Sequence, residues 1–230
     1  MASDIRIIAS MAPRRLLQSI IAGYASATGP TVSLEAVGGV DAARRVREGE
    51  AFDLVALASD ALEKLEREGH IIAGSLKPFA RSPMAMAMAA PAGAPRYETS
   101  EEGVKQALLG ARAIGCSTGP SGDHLLTLMR RWGVEITLAP RLVKAAPGVP
   151  VAALLARGDV DLGFQQLSEL LGEPGIEIVG VLAPSIQSTT IFAVGVGRQA
   201  TDPEAASALR DHIASQAVEE EVRSHGMEPG

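Results

Sequence analysis

Residues 117–124 read Ser-Thr-Gly-Pro-Ser-Gly-Asp-His and lead into a helical apolar pattern at Leu125, Leu126, Met129 and Trp132. This run suits an oxyanion. The first N–H groups of a helix have no partner inside it and sit at the positive end of its dipole, and small residues let an anion approach them. Ser117, Gly119, Ser121 and Gly122 are the candidate contacts, against the plainer reading of an ordinary helix cap by Ser121 or Asp123. Three more strand-to-helix junctions have the same form, at Ser10 and Met11, at Gly38 and Gly39, and at Ala58 and Ser59. A further turn, Pro147-Gly148-Val149, enters a later helix, and Gln165 and Gln166 follow the strand pattern Asp161-Leu-Gly-Phe164. Each amide offers two donors and two acceptor sites, so the glutamine pair can orient a carboxylate.

Arg14, Arg15, Arg44 and Arg81 could each grip a carboxylate with a bidentate fork, and Arg81 stands out because it falls where the chain changes character. For proton transfer the candidates are His124, Glu169 and Asp60, each with a plain alternative as a surface or capping residue. The four histidines show no paired ligand spacing and Cys116 stands alone, so neither a metal nor another cofactor is expected.

Strand and helix patterns alternate along the chain that carries these residues. Residues 4–9 read as a strand, Pro13 opens a helix with Leu16, Leu17, Ile20, Ile21 and Tyr24 on one face, and two further strand–helix units follow through Gly69. That alternation predicts a parallel sheet covered on both faces. Arg81-Ser82-Pro83 interrupts the pattern, and Met-Ala alternation over 84–89 then reads as a strand whose methionines are core. Thr189 to Val196 reads as a strand returning across the same boundary, and 203–225 as one terminal helix with Ala206, Leu209, Ile213, Ala217 and Val222 on a single face. The expectation is an α/β fold of two lobes, 1–81 with 190–230 and 82–189, each a mainly parallel sheet flanked by helices, with two hinge crossings and a ligand cleft between the lobes.

Composition limits the partners. With 47% apolar residues in 230 the chain can bury a full core, and a net charge of −6 without a basic run argues against nucleic acid. Aromatic residues are only 3%, too few for a stacking platform, and no apolar run reaches membrane-spanning length. A monomer not embedded in the membrane is expected. Met-Ala-Ser leads straight into strand pattern. The expected compartment is the cytoplasm if Met1 is native and the periplasm if a leader has been removed.

Taken in order, Ile-Ile-Ala-Ser10, Phe52-Asp-Leu-Val-Ala-Leu-Ala-Ser59, Gly119-Pro-Ser-Gly122 before Trp132-Gly133, Arg157-Gly-Asp-Val-Asp-Leu-Gly-Phe164 and the closing Gly226-Met-Glu-Pro-Gly230 resemble the type II periplasmic solute-binding proteins, and among them the molybdate-binding family. The resemblance runs over nearly the whole chain. It implies an anion held between lobes by hydroxyls and backbone N–H groups at Ser10, Gly38, Gly39, Ala58, Ser59, Ser121, the 147–149 turn and the strand ending at Phe164. It also implies delivery of that anion to an ABC-transporter permease if the protein is exported.

The chain departs from the molybdate pattern at two places. Gly38-Gly39 stands where a serine is usual, and Gln165-Gln166 where a tyrosine-containing segment is usual. Both changes remove hydroxyl donors and turn the expectation from molybdate toward an organic di- or tricarboxylate. The chain is similar as well to the aconitate isomerase branch of these proteins, which implies an alternative function, moving a double bond within a tricarboxylate by proton transfer.

Overall fold

The computed structural model describes residues 4–28, 31–89, 97–146 and 148–230. Its strands are β1 (Ile5–Ser10), β2 (Val32–Val37), β3 (Leu54–Ala58), β4 (Lys77–Ala89), β5 (Ile114–Cys116), β6 (Leu142–Lys144), β7 (Leu162–Gln166), β8 (Ile176–Val181), β9 (Thr189–Val196) and β10 (Glu228–Pro229). The chain divides into two compact units, Met1–Ser82 with Ile191–Gly230, and Pro83–Thr190. Strands β4 and β9 carry it across.

In the first unit β1 pairs in parallel with β2 on one side and β3 on the other, and β9 runs antiparallel to β3. Side chains alternate across a strand. Ile5, Ile7 and Ala9 therefore pack with Leu16, Leu17 and Ile20 of the helix Arg14–Thr28 and with Leu209 and Ile213 of Pro203–Ile213, whereas Ile8 packs with Val46, Leu62 and Leu65 of the two helices on the opposite face. The sheet is covered on both sides, as strand–helix alternation requires.

In the second unit β5 pairs in parallel with β6 and β7, while β4 lies antiparallel to β7 and β8. The Met-Ala alternation sorts by size. Met84 and Met86 fill a core with Leu125, Met129, Phe164 and Leu108, and Ala85 and Ala87 face Val151, Ala152 and Leu155. The alanine side is thin because the helix Val151–Ala156 lies almost on the sheet, above a Gly115–Gly163 pair. A Cβ on Gly163 would stand 2.6 Å from Val151 Cγ1 and 2.9 Å from Leu155 Cδ1. Gly163→Ala is accordingly expected to cost about 1–3 kcal/mol by overpacking, read as a lowered denaturation midpoint with an unchanged m-value.

Two elements differ from the sequence reading. Pro83 does not break the strand: β4 is continuous because the proline falls where ladder partners change, from β10 at Ala80 and Arg81 to β7 and β8 from Met84 onward. The terminal helix is broken. It ends at Ile213, where Ser215 N and Oγ both donate to the His212 carbonyl, and restarts as Glu219–Ser224, so Val218 is buried in place of the exposed Ala217.

Candidate functional site

The parallel order β2-β1-β3 sets three carboxyl strand ends side by side in the first unit: Ser10 pairs with Val37, and Ala9 pairs with both Ala36 and Ala56. Helices begin directly beyond two of them. Gly38 is the N-cap of Gly39–Arg47 and Ala58 the N-cap of Ser59–Arg67, and neither start has a side-chain cap. The first-turn N–H groups that remain free are donors near Ser10, and each of the two first turns also carries one carboxylate, Asp41 or Asp60. A Cβ on Gly39 would lie 3.5 Å from Ser10 Cβ, so the helix start rests against the serine. Ser10 is 8% exposed and its Oγ has no hydrogen-bond partner. Met11 and Ser59 flank it half-buried.

Two other residues of this unit are engaged in holding the fold. Asp60 is exposed and its Oδ1 accepts from Ala61 N at 2.8 Å, serving the first turn of its own helix. Arg81 is exposed and its Nε donates to the Pro229 carbonyl at 3.0 Å, pinning β10 to β4. A cavity of about 160 Å³ lined by Glu50, Phe52, His70, Arg198 and Gln199 contains none of the residues singled out from the sequence. It lies at the starting end of β3, whereas Ser10 and Ala58 stand at the finishing ends of their strands.

In the second unit β5 ends at Cys116 and Gly119 caps the helix Pro120–Arg131 without a side-chain bond. The two serines satisfy each other: Ser117 Oγ and Ser121 Oγ are 2.9 Å apart, and Ser117 Oγ also accepts from Gly119 N at 3.2 Å. Gly122 is there for packing, since a Cβ would come 1.9 Å from the Ser117 carbonyl oxygen. His124 Nε2 donates to the Ile186 carbonyl at 2.8 Å, which leaves Nδ1 as its basic nitrogen. Burial pushes the Cys116 thiol above its ordinary range, which makes it a poor nucleophile.

The adjacent glutamines at the end of β7 have different work, because period-2 alternation sends them to opposite faces. Gln165 Oε1 accepts from Val151 N at 2.7 Å and its Nε2 donates to Glu169 Oε2 at 2.6 Å. Both amide atoms are thus tied to the protein, a use that the sequence expectation of a ligand contact did not include. Glu169 is only partly buried as a residue, but its carboxyl is enclosed, and burial lifts its pKa to about 7 against the pull of the Gln165 bond. Gln166 is 3% exposed; its Nε2 donates to Thr190 Oγ1 at 2.7 Å and its Oε1 has no partner. Gly148 is exposed with φ of 76°, Val149 is half-buried, and Pro147 lies outside the described residues.

Thr190 escaped the sequence reading. The available signal was a polar residue at the start of an otherwise apolar strand, Thr-Thr-Ile-Phe-Ala-Val. Among the described residues there is no cluster of three or more metal-ligating side chains, and no helix long and apolar enough to cross a membrane.

The chain is 31% identical over 220 residues to an aconitate isomerase of a Pseudomonas species, covering 93% of this chain and 83% of that one. It is 25% identical over 191 residues to the molybdate-binding protein ModA of Azotobacter vinelandii, covering 79% and 73%. The solved structure of the A. vinelandii periplasmic molybdate-binding protein superimposes with a TM-score of 0.82 over 97% of this chain and 98% of that one, at 17% identity. With a family model matched across residues 5–228, this chain belongs to the bacterial extracellular solute-binding proteins.

Proposed function

We propose that the protein is the substrate-binding component of a transport system for a small anion; Ser10, Gly38, Gly39, Ala58 and Ser59 are the candidate contacts in the first unit, and Gln166 with the 148–149 turn those in the second. The observation that carries this reading is the buried Ser10 hydroxyl, whose Oγ has no partner and can donate to an anion; the second unpartnered buried atom, Gln166 Oε1, is an acceptor, and that amide serves an anion only through its nitrogen. Buried polar groups are nearly always hydrogen-bonded, and an orphan costs about 1–3 kcal/mol. Each orphan stands at the carboxyl end of a strand, where α/β folds receive ligands. The helix starts beside Ser10 have no side-chain bond from their N-cap residues, and beside the first-turn Asp41 and Asp60, which takes Ala61 N, their remaining N–H groups are donors an anion can use.

An organic carboxylate suits the site better than a tetrahedral oxyanion, because Gly38-Gly39 and Gln166 supply backbone and amide groups in place of hydroxyls. The two curated relatives are named for molybdate and for aconitate, both anions. In this reading the protein acts as a monomer and passes its ligand to an ABC-transporter permease.

One observation favours a second reading, isomerisation of a tricarboxylate. Glu169 titrates near neutrality and keeps one oxygen held by Gln165, the condition of a base poised to move a proton. A thermal-shift screen against molybdate, sulfate, tricarballylate and both aconitate isomers tests both readings. A ligand at about a hundred times its Kd adds about 2.7 kcal/mol, which for this length raises Tm by roughly 5–10 °C. No shift with any of them would overturn the anion-binding function, and interconversion of the aconitates in the same samples would establish the isomerase.

A further inference from the structure

Gln166 closes β7, Thr190 opens β9, and both are buried. The Gln166 amide nitrogen donates to the Thr190 hydroxyl, and the amide oxygen beside it is unmatched. A hydroxyl both donates and accepts, and an amide turned about its terminal bond exchanges oxygen and nitrogen within nearly the same outline. The pair therefore has two arrangements. In one, Thr190 accepts and Gln166 holds out a bare oxygen; in the other, Thr190 donates to that oxygen and Gln166 holds out two N–H groups.

An anion has only acceptors to offer, and it is repelled by a bare amide oxygen. Resting on the anion-binding reading above, we infer that Thr190 is a positioning residue that sets the polarity of Gln166. On binding, its hydroxyl donates to Oε1 and the amide nitrogen is turned to the anion. The turn pairs the orphaned oxygen and forms charge-assisted bonds to the ligand in one step, with no proton exchanged. A ligand that places a hydroxyl at this point is served by the opposite arrangement, so the same two side chains can read either a donor or an acceptor.

Titration calorimetry at pH 8 with molybdate, sulfate, tricarballylate and trans-aconitate would test this on the wild-type chain and on Gln166→Ala, Thr190→Val, Thr190→Ser and the Gln166→Ala/Thr190→Val double variant. For the anion bound most tightly by the wild type, Thr190→Val is expected to weaken binding about tenfold and Thr190→Ser less than threefold. The double variant should lose no more than Gln166→Ala, because both changes act through one amide. Full affinity in Thr190→Val, or losses that multiply in the double variant, overturns the inference while a weakened Gln166→Ala leaves the site standing. Unchanged affinity in Gln166→Ala, or no binding of any of the four anions, removes the Gln166 site and the inference with it. Should Thr190→Val fail to fold, the side-chain amide resonance missing from Gln166→Ala decides: its protons should move downfield as the wild type is saturated, and an unmoved resonance counts against the inference.

Discussion

Ser10→Ala is expected to weaken anion binding ten- to a hundredfold and to leave the ligand-free protein as stable as the wild type or slightly more so. The two halves of that expectation have one cause. Ser10 Oγ is buried with no partner, so in the empty protein it contributes only the cost of being out of water. With an anion present, the hydroxyl donates to charge, a bond worth about 1.5–3 kcal/mol, and each 1.4 kcal/mol is a factor of ten in Kd. Calorimetric titration gives the affinity, and urea unfolding without ligand gives the stability. Loss of stability with unchanged affinity would mean that Ser10 serves the core and not the ligand.

The second large effect is on the pH dependence of stability. Glu169 has a folded-state pKa of about 7 against an ordinary value of 4.5, raised by burial of its carboxyl. Below pH 4.5 both folded and unfolded states hold the proton. Between pH 4.5 and 7 the unfolded chain releases it while the folded protein keeps it, so the unfolded state gains and stability falls as pH rises. At about 1.4 kcal/mol per pKa unit the loss is roughly 3 kcal/mol, complete just above pH 7.

Glu169→Gln keeps an oxygen to accept from Gln165 and has no proton to lose. It should therefore match the wild type near pH 4.5 and exceed it by roughly 3 kcal/mol at pH 8, measured by urea unfolding at both pH values. Glu35, Glu50, Glu68 and Glu101 have depressed pKa values, chiefly from hydrogen bonds to Arg45, Arg45, Arg47 and Trp132, and push the opposite way as the solution is acidified. They are common to both proteins and cancel in the difference. Parallel pH profiles would show that Glu169 is solvated when folded, which would also withdraw the observation favouring a proton-transfer role.

The alternation of strands and helices and the small-residue junctions between them were legible in the amino-acid order. Both are properties of short segments: an apolar stripe of period 3.6 or 2, a proline or glycine at a stop, a serine or a glycine pair at a helix start. Ser10, Gly38 and Ala58 were legible as strand or helix ends for that reason. Their adjacency required the parallel order β2-β1-β3, which long-range pairing sets.

Which polar groups remain available depends on long-range packing. Gln165 and Gln166 are the same residue type at neighbouring positions, and the pleat alone gives them different fates. One is taken up by Val151 N and Glu169 across a glycine-thinned layer; the other meets Thr190, 24 residues away in sequence, and keeps an atom unpaired. Ser117 and Ser121 have the composition of an anion site, yet the turn from the end of β5 into the helix Pro120–Arg131 brings their hydroxyls within 2.9 Å of each other. Composition lists the donors and acceptors a chain carries, but folding pairs most of them, and the few left unpaired are known only when every partner has been placed.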